Sequence, residues 1–154
     1  MATLSDYIIK IANIDAAIEN ALQNEVTEAV KEAIVAEAQA AVYDAYTPKF
    51  YSRRNGEGGI LDKNSIIIEV HGTELTAKDN PTWQHLWGGT FPDKPLADAL
   101  ADGDARFNFA RAGQRPFHEA AKRRVISDGT AEDALRRGLA RQGIDTSGMT
   151  FKLT

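Results

Sequence analysis

Residues 43–66 read YDAYTPKFYSRRNGEGGILDKNSI. This stretch divides the chain: a long helical pattern precedes it, and a short apolar strand and an irregular, basic half follow. Pro48 pushes Thr47 out of the α region, so the preceding helix should end near residues 46–47. Asn55-Gly56 and Gly58-Gly59 are turn or flexible-tip signals. Around them stand the rings of Tyr43, Tyr46, Phe50 and Tyr51 and the pair Arg53-Arg54. Glycines beside arginines fit a phosphate loop, whereas rings beside arginines fit a docking segment. A phosphate loop carries a lysine and a Ser/Thr after its glycines and opens a helix. The NGEGG cluster at 55–59 has neither and runs toward a strand, which leaves a docking arm.

Upstream, apolar residues recur at Ile14, Ile18, Leu22, Val26, Val30, Ile34, Ala38 and Ala41. Steps of four and three put successive members on neighbouring turns of a helix, and no Gly or Pro interrupts residues 15–45. Repeated steps of four overshoot 3.6 residues per turn, so the stripe slants around the rod. Ser5 or Asn13 can cap its start. About thirty residues at ~1.5 Å rise give a rod of roughly 45 Å, longer than a domain of this size needs. Such a helix either projects onto a neighbour or serves as a core helix with a frayed or kinked first turn.

Downstream, 62–65 reads as a turn, and the β-branched run 65–70 as a strand. His71-Gly72-Thr73 can reverse it into a partner strand at 74–78. The loop 80–95 carries Trp83, His85, Trp87 and Phe91 between proline and glycine breaks; exposed tryptophan is costly, so it should lie on the core or on a partner. A short helix at 95–101 and a strand at 106–109 follow. Pro116 opens a helix to about residue 126. Thr130 caps a last helix that Gly143 closes, and 151–153 can pair as a closing strand.

The whole is an α+β protein in one domain: a long N-terminal helix (1–46), an extended connector arm (47–64), and a small α+β body (65–154) in which an antiparallel β-hairpin packs with C-terminal helices. A chain of 154 residues buries enough surface for a core without staples. It has no cysteine, which excludes disulfides and thiolate metal sites and fits a reducing cytoplasm. No run has the length of a membrane span, and MATLSDYIIK lacks the pattern of a signal peptide. A soluble, cytoplasmically made protein without membrane contact is expected.

The net charge of −4 conceals an asymmetry. Residues 1–45 hold two lysines against eight acids, whereas 103–141 hold nine basic residues against five acids. An acidic helix and a basic end suit assembly by charge complementarity, and equally suit ordinary solvated faces. Catalytic chemistry finds little support. His71, His85 and His118 are scattered without metal-ligand spacing, and no GxSxG elbow or cysteine nucleophile is present. No enzyme activity, cofactor or metal is expected. Arg53-Arg54 beside Tyr51, with Lys122-Arg123-Arg124, could bind nucleic acid. Arg and Tyr are equally the favoured anchors of protein interfaces. Tyr43, Tyr46, Tyr51, Arg53, Arg54, Leu61, Trp83, Trp87 and Arg115 are therefore the candidate interface residues.

Tyr43, Tyr46, Pro48, Tyr51, Arg53 and Arg54 follow the pattern Tyr-x-x-Tyr-x-Pro-x-x-Tyr-x-Arg-Arg. Gly58, Gly59, Asp62, Asn64 and Ile66 follow a Gly-Gly-Leu-x-Asp and Asn-Ile pattern, with Ile60 in the leucine's place and Ser65 inserted. Arg115-Pro116-Phe117 opens the next block, and Leu135, Gly138, Leu139, Gly143 and Ile144 form the last. In these residues and in element order the chain resembles small tailed-phage and prophage structural proteins of the head–tail joining or tail-completion (neck) class. The resemblance covers roughly two-thirds of the chain. It implies a virion component without a catalytic site, made in the host cytoplasm and assembled as a homo-oligomeric ring at the neck. Its neighbours would be head-connector or portal-side proteins and tail-tube or tail-terminator proteins, with passive contact to DNA in the lumen. A tail-terminator or minor capsid role, or a small nucleic-acid-binding regulator, are the alternatives.

Overall fold

The structure, a computed structural model, describes residues 4–44, 59–79 and 116–154, with the backbone alone for 4–12 and 79. Helical backbone runs without a break through α1 (Leu4–Ala21), a π-helical turn π1 (Leu22–Val26), α2 (Thr27–Ala38) and a second wide turn π2 (Gln39–Tyr43). Ser5 and Asn13 lie inside α1, so neither is the cap that their side chains equip them to be. Asp44 forms the C-cap, donating its N–H to Gln39 O. The expected helix end at 46–47 and the connector arm up to residue 58 lie outside the described residues, as do the helix at 95–101 and the strand at 106–109.

The wide turns were not foreseen, but the steps of four hold a reason for them. In an α-turn of 3.6 residues, positions four apart drift around the axis; a π turn, bonded i→i+5, is wider and brings such positions back toward one face. Leu22 and Val26, the ends of π1, are both buried. With Ala17, Ala21, Ala29, Ala33, Ile34 and Ala38 they make the buried side of the long helix, so alanine as much as the large residues of the stripe faces inward.

After a 3-10 turn (Lys63–Ser65), β1 (Ile66–His71) pairs with β2 (Glu74–Asp79) in a two-stranded antiparallel sheet. Gly72 takes φ +59 and Thr73 stays at negative φ, the sign pattern of a II′ hairpin turn, whose twist matches that of the strands. Burial alternates as the pleat requires: Ile66, Ile68, Val70, Leu75 and Ala77 are sheltered, while Ile67, Glu69, His71, Glu74, Thr76 and Lys78 face out.

Two helices close the chain, α3 (Phe117–Ser127) and α4 (Thr130–Arg141). Pro116 stands just before α3 as expected, and its carbonyl accepts the Ala120 N–H. Phe117, Ala121 and Val125, at steps of four, are the buried side of α3. Gly129, at φ +74, turns the chain into α4; Thr130 is already helical, and no side-chain cap bond is made, which corrects its assignment as the cap. At the other end Gly143 N–H reaches Ala140 O and Ile144 N–H reaches Leu139 O, a Schellman closure with Gly143 at φ +80.

The closing strand expected at 151–153 is not formed. The tail is instead held by Arg136, which donates to Thr146 O and Met149 O at 2.8 Å each and lies 4.9 Å over the Phe151 ring. Glu132 Oε1, 2.6 Å from Arg136 Nη2, orients the guanidinium. Residues 151–153 join no sheet, and the Phe151 ring is placed against Arg136 instead.

The chain divides into two compact units. One comprises Met1–Val30, Ile68–Thr76 and Arg124–Thr154; in it α4 packs on α1 and π1, burying Ala131, Ala134, Leu135 and Leu139. The other comprises Lys31–Ile67 and Ala77–Arg123, and its buried apolar residues include Ile34, Ile60, Ile66 and Phe117.

Candidate assembly surface

Of the nine candidate interface residues, the structure describes two. Tyr43 is the last residue of π2 and is half-buried. Leu61, also half-buried, sits at the root of the arm. Tyr46, Tyr51, Arg53, Arg54, Trp83, Trp87 and Arg115 lie outside the described residues.

The root is built by local chemistry. Ile60 is buried at 2% exposure and acts as the apolar anchor. Asp62 N–H closes a turn onto Gly59 O, and the Asp62 carboxylate accepts the Asn64 N–H at 2.9 Å, capping the 3-10 turn. This is the Asx chemistry that makes Asp favourable at a turn start. Lys63 Nζ then reaches Glu32 Oε1 on α2 at 3.1 Å. Both side chains are well exposed, so the pair contributes at most ~1 kcal/mol.

The charge asymmetry read from the sequence is partly satisfied inside the chain. Arg141, the last residue of α4, donates to both carboxylate oxygens of Glu25 in π1 and to Asn20 Oδ1 at 2.7 Å. The Arg141 hydrogen bond holds the Glu25 carboxyl below its ordinary value, and the charges of Arg141 and Arg137 add to the effect; desolvation opposes it. Gln142 extends the grip, its Nε2 donating to Ala17 O and Gly138 O at 2.9 Å each. Beneath these bonds the helices meet at small residues: Gly138 lies directly against Ala21. Sequence reasoning passed over Glu25, Gly138, Arg141 and Gln142. Acid in the long helix and base in the last one announced complementarity, but nothing local names partners 116 positions apart.

What faces outward on α3 is basic. Lys122, Arg123 and Arg124 are exposed in one run, beside exposed Glu119, with Arg124 Nε 3.8 Å from Asp128. Among the described residues no group of three or more His, Asp or Glu could hold a metal ion, and no helix is long and apolar enough to cross a membrane.

The model of the YomN family matches residues 1–141, from the long helix through the arm to the end of α4. No curated protein and no solved structure matches the chain significantly.

Proposed function

The chain belongs to the phage-derived YomN family, and from that premise we propose that it is a structural virion protein of a tailed phage or prophage, assembled as a homo-oligomeric ring at the head–tail junction. The observation that supports this most is the family match over residues 1–141, which points to a phage origin. The long helix and α4 supply a clamped body, and the sequence ahead of the anchor Ile60 and the turn at Asp62 carries the rings and arginines for a contact. In a ring, Tyr51, Arg53 and Arg54 of one copy meet the acidic side of the next copy's long helix, where Asp15 and Glu28 are exposed. Head-connector and tail-tube proteins bound the ring on its two sides. No catalytic step is assigned.

The double substitution Arg53→Ala/Arg54→Ala tests this. The variant should keep its helical circular dichroism yet be absent from purified particles; normal incorporation would overturn the assignment. Imaging of particles labelled on this chain should place several copies at the neck.

The exposed run Lys122-Arg123-Arg124 favours a second reading, a small nucleic-acid-binding protein. It requires binding of the isolated protein to duplex DNA that falls steeply with salt. The net charge of −4 weighs against it, and absence of binding at low salt would remove it.

A further inference from the structure

A π turn inside a long helix carries one residue more than an α-turn, and something must hold it there. At π1 part of the hold is local: Thr27 gives both its N–H and its hydroxyl to Leu22 O, five positions back, the hydroxyl at 2.8 Å. The rest comes from α4 and the residue after it, which take hold on both sides of the turn's start. Gln142 Nε2 bonds Ala17 O and Arg141 bonds Asn20, both before π1, while Arg141 also grips Glu25, inside it. Gly138 rests on Ala21 at the boundary. A rigid helix end that is bonded before the wide turn and within it fixes the number of residues between those points in the wound conformation.

We propose that the end of α4 is a latch that sets the rotational phase of the long helix. While Arg141 and Gln142 are engaged, residues 22–26 stay in the wide turn. When they let go, the extra residue is taken up into α-helix, and the segment before the turn rotates about the helix axis relative to the segment after it. The rotation is about 100°, one residue's share of a 3.6-residue turn. It would exchange which side chains of α1 face outward without unfolding the helix. The latch is reached through Arg141: its side chain is 50% exposed, against 21% for Glu25, so an anionic group on another molecule can compete for the guanidinium while Glu25 remains sheltered. This inference does not depend on the assignment to the phage neck.

The test is solution NMR on the full chain, reading the i→i+5 contacts across residues 21–27 that mark a π turn against the i→i+4 contacts of an α-helix. In Arg141→Ala/Gln142→Ala the i→i+5 set should vanish and an unbroken i→i+4 set replace it. In Thr27→Val, which removes the hydroxyl and preserves shape, the i→i+5 set should persist because the latch is intact. A folded double variant that keeps its i→i+5 contacts overturns the proposal, and so does conversion of the turn in Thr27→Val, which would make the hold local. If the double variant does not fold, Arg141→Ala alone, with the Gln142 bonds still in place, is read in the same way: an unchanged contact pattern overturns the latch, and partial or full conversion supports it.

Discussion

Replacing Gly138 with alanine sets two effects of opposite sign against each other at one position. Gly138 sits inside α4, where alanine is favoured over glycine by about 0.8–1.0 kcal/mol. A Cβ added there, however, would lie 2.5 Å from the Ala21 Cβ, 2.6 Å from Glu25 Oε2 and 2.9 Å from the Ala21 Cα. The carboxylate can swing aside, at the cost of its bonds to Arg141. Ala21 cannot, because it is wholly buried and its own backbone forms part of the contact. The helices must therefore separate along the line where α4 meets α1 and π1. Overpacking of a close-packed contact costs roughly 1–3 kcal/mol, and here the upper part of that range applies because backbone and a charged pair move together. Subtracting the propensity gain leaves a net loss of about 1–2 kcal/mol, or a fall in Tm of roughly 2–8 °C for a chain of this size. Urea titration followed by far-UV circular dichroism measures it. A Gly138→Ala variant as stable as the wild type, or stabilised by the full propensity gain, would show that α4 does not approach the long helix this closely.

Glu25 predicts a pH effect. Its carboxyl is held below the ordinary value in the folded chain, so the pairing contributes stability above the unfolded value of 4.5 and loses it as pH falls through the folded one. Glu25→Gln should therefore flatten the acid limb of the stability–pH curve, and superimposable limbs would refute the pairing. Arg136→Ala should free the tail, raising amide hydrogen exchange at residues 146–151 while leaving the centre of α4 protected; unchanged exchange would mean that the tail is held otherwise. Gly143→Ala meets no steric obstacle but forces alanine to φ +80, and should cost about 1–2 kcal/mol in urea titration. Phe117→Ala, at a side chain 1% exposed, should cost about 3–5 kcal/mol; a loss under ~1 kcal/mol would show that Phe117 is not a core residue.

The local structure at the start of the 59–66 segment was legible in residue type. The turn at Asp62 and the anchoring at Ile60 follow from short-range chemistry, and the structure has both. The candidate contacts Tyr46, Tyr51, Arg53, Arg54, Trp83, Trp87 and Arg115 fall outside the described residues, so their role rests on the particle experiments above. Glu25 of the acidic helix and Arg141 of the basic end pair with each other within the chain.

By itself the sequence determined the elements whose causes lie within four or five residues. Steps of three and four made the long helix. Alternating β-branched residues and Gly72 made the hairpin, Pro116 opened α3, and Gly143 closed α4. Thr130 and the segment 151–153 each had the local chemistry for its expected role, but Gly129 stands at the cap of α4, and Phe151 lies against Arg136 and not in a sheet. Only the tertiary structure decided that alanines form the inner side of the long helix, that Gly138 meets Ala21, that the helix widens at residues 22–26, and that Arg141 takes Glu25. Periodicity is written along the chain and can be read there. A pairing across 116 positions depends on the path between them, and the sequence states only that a charge awaits its opposite.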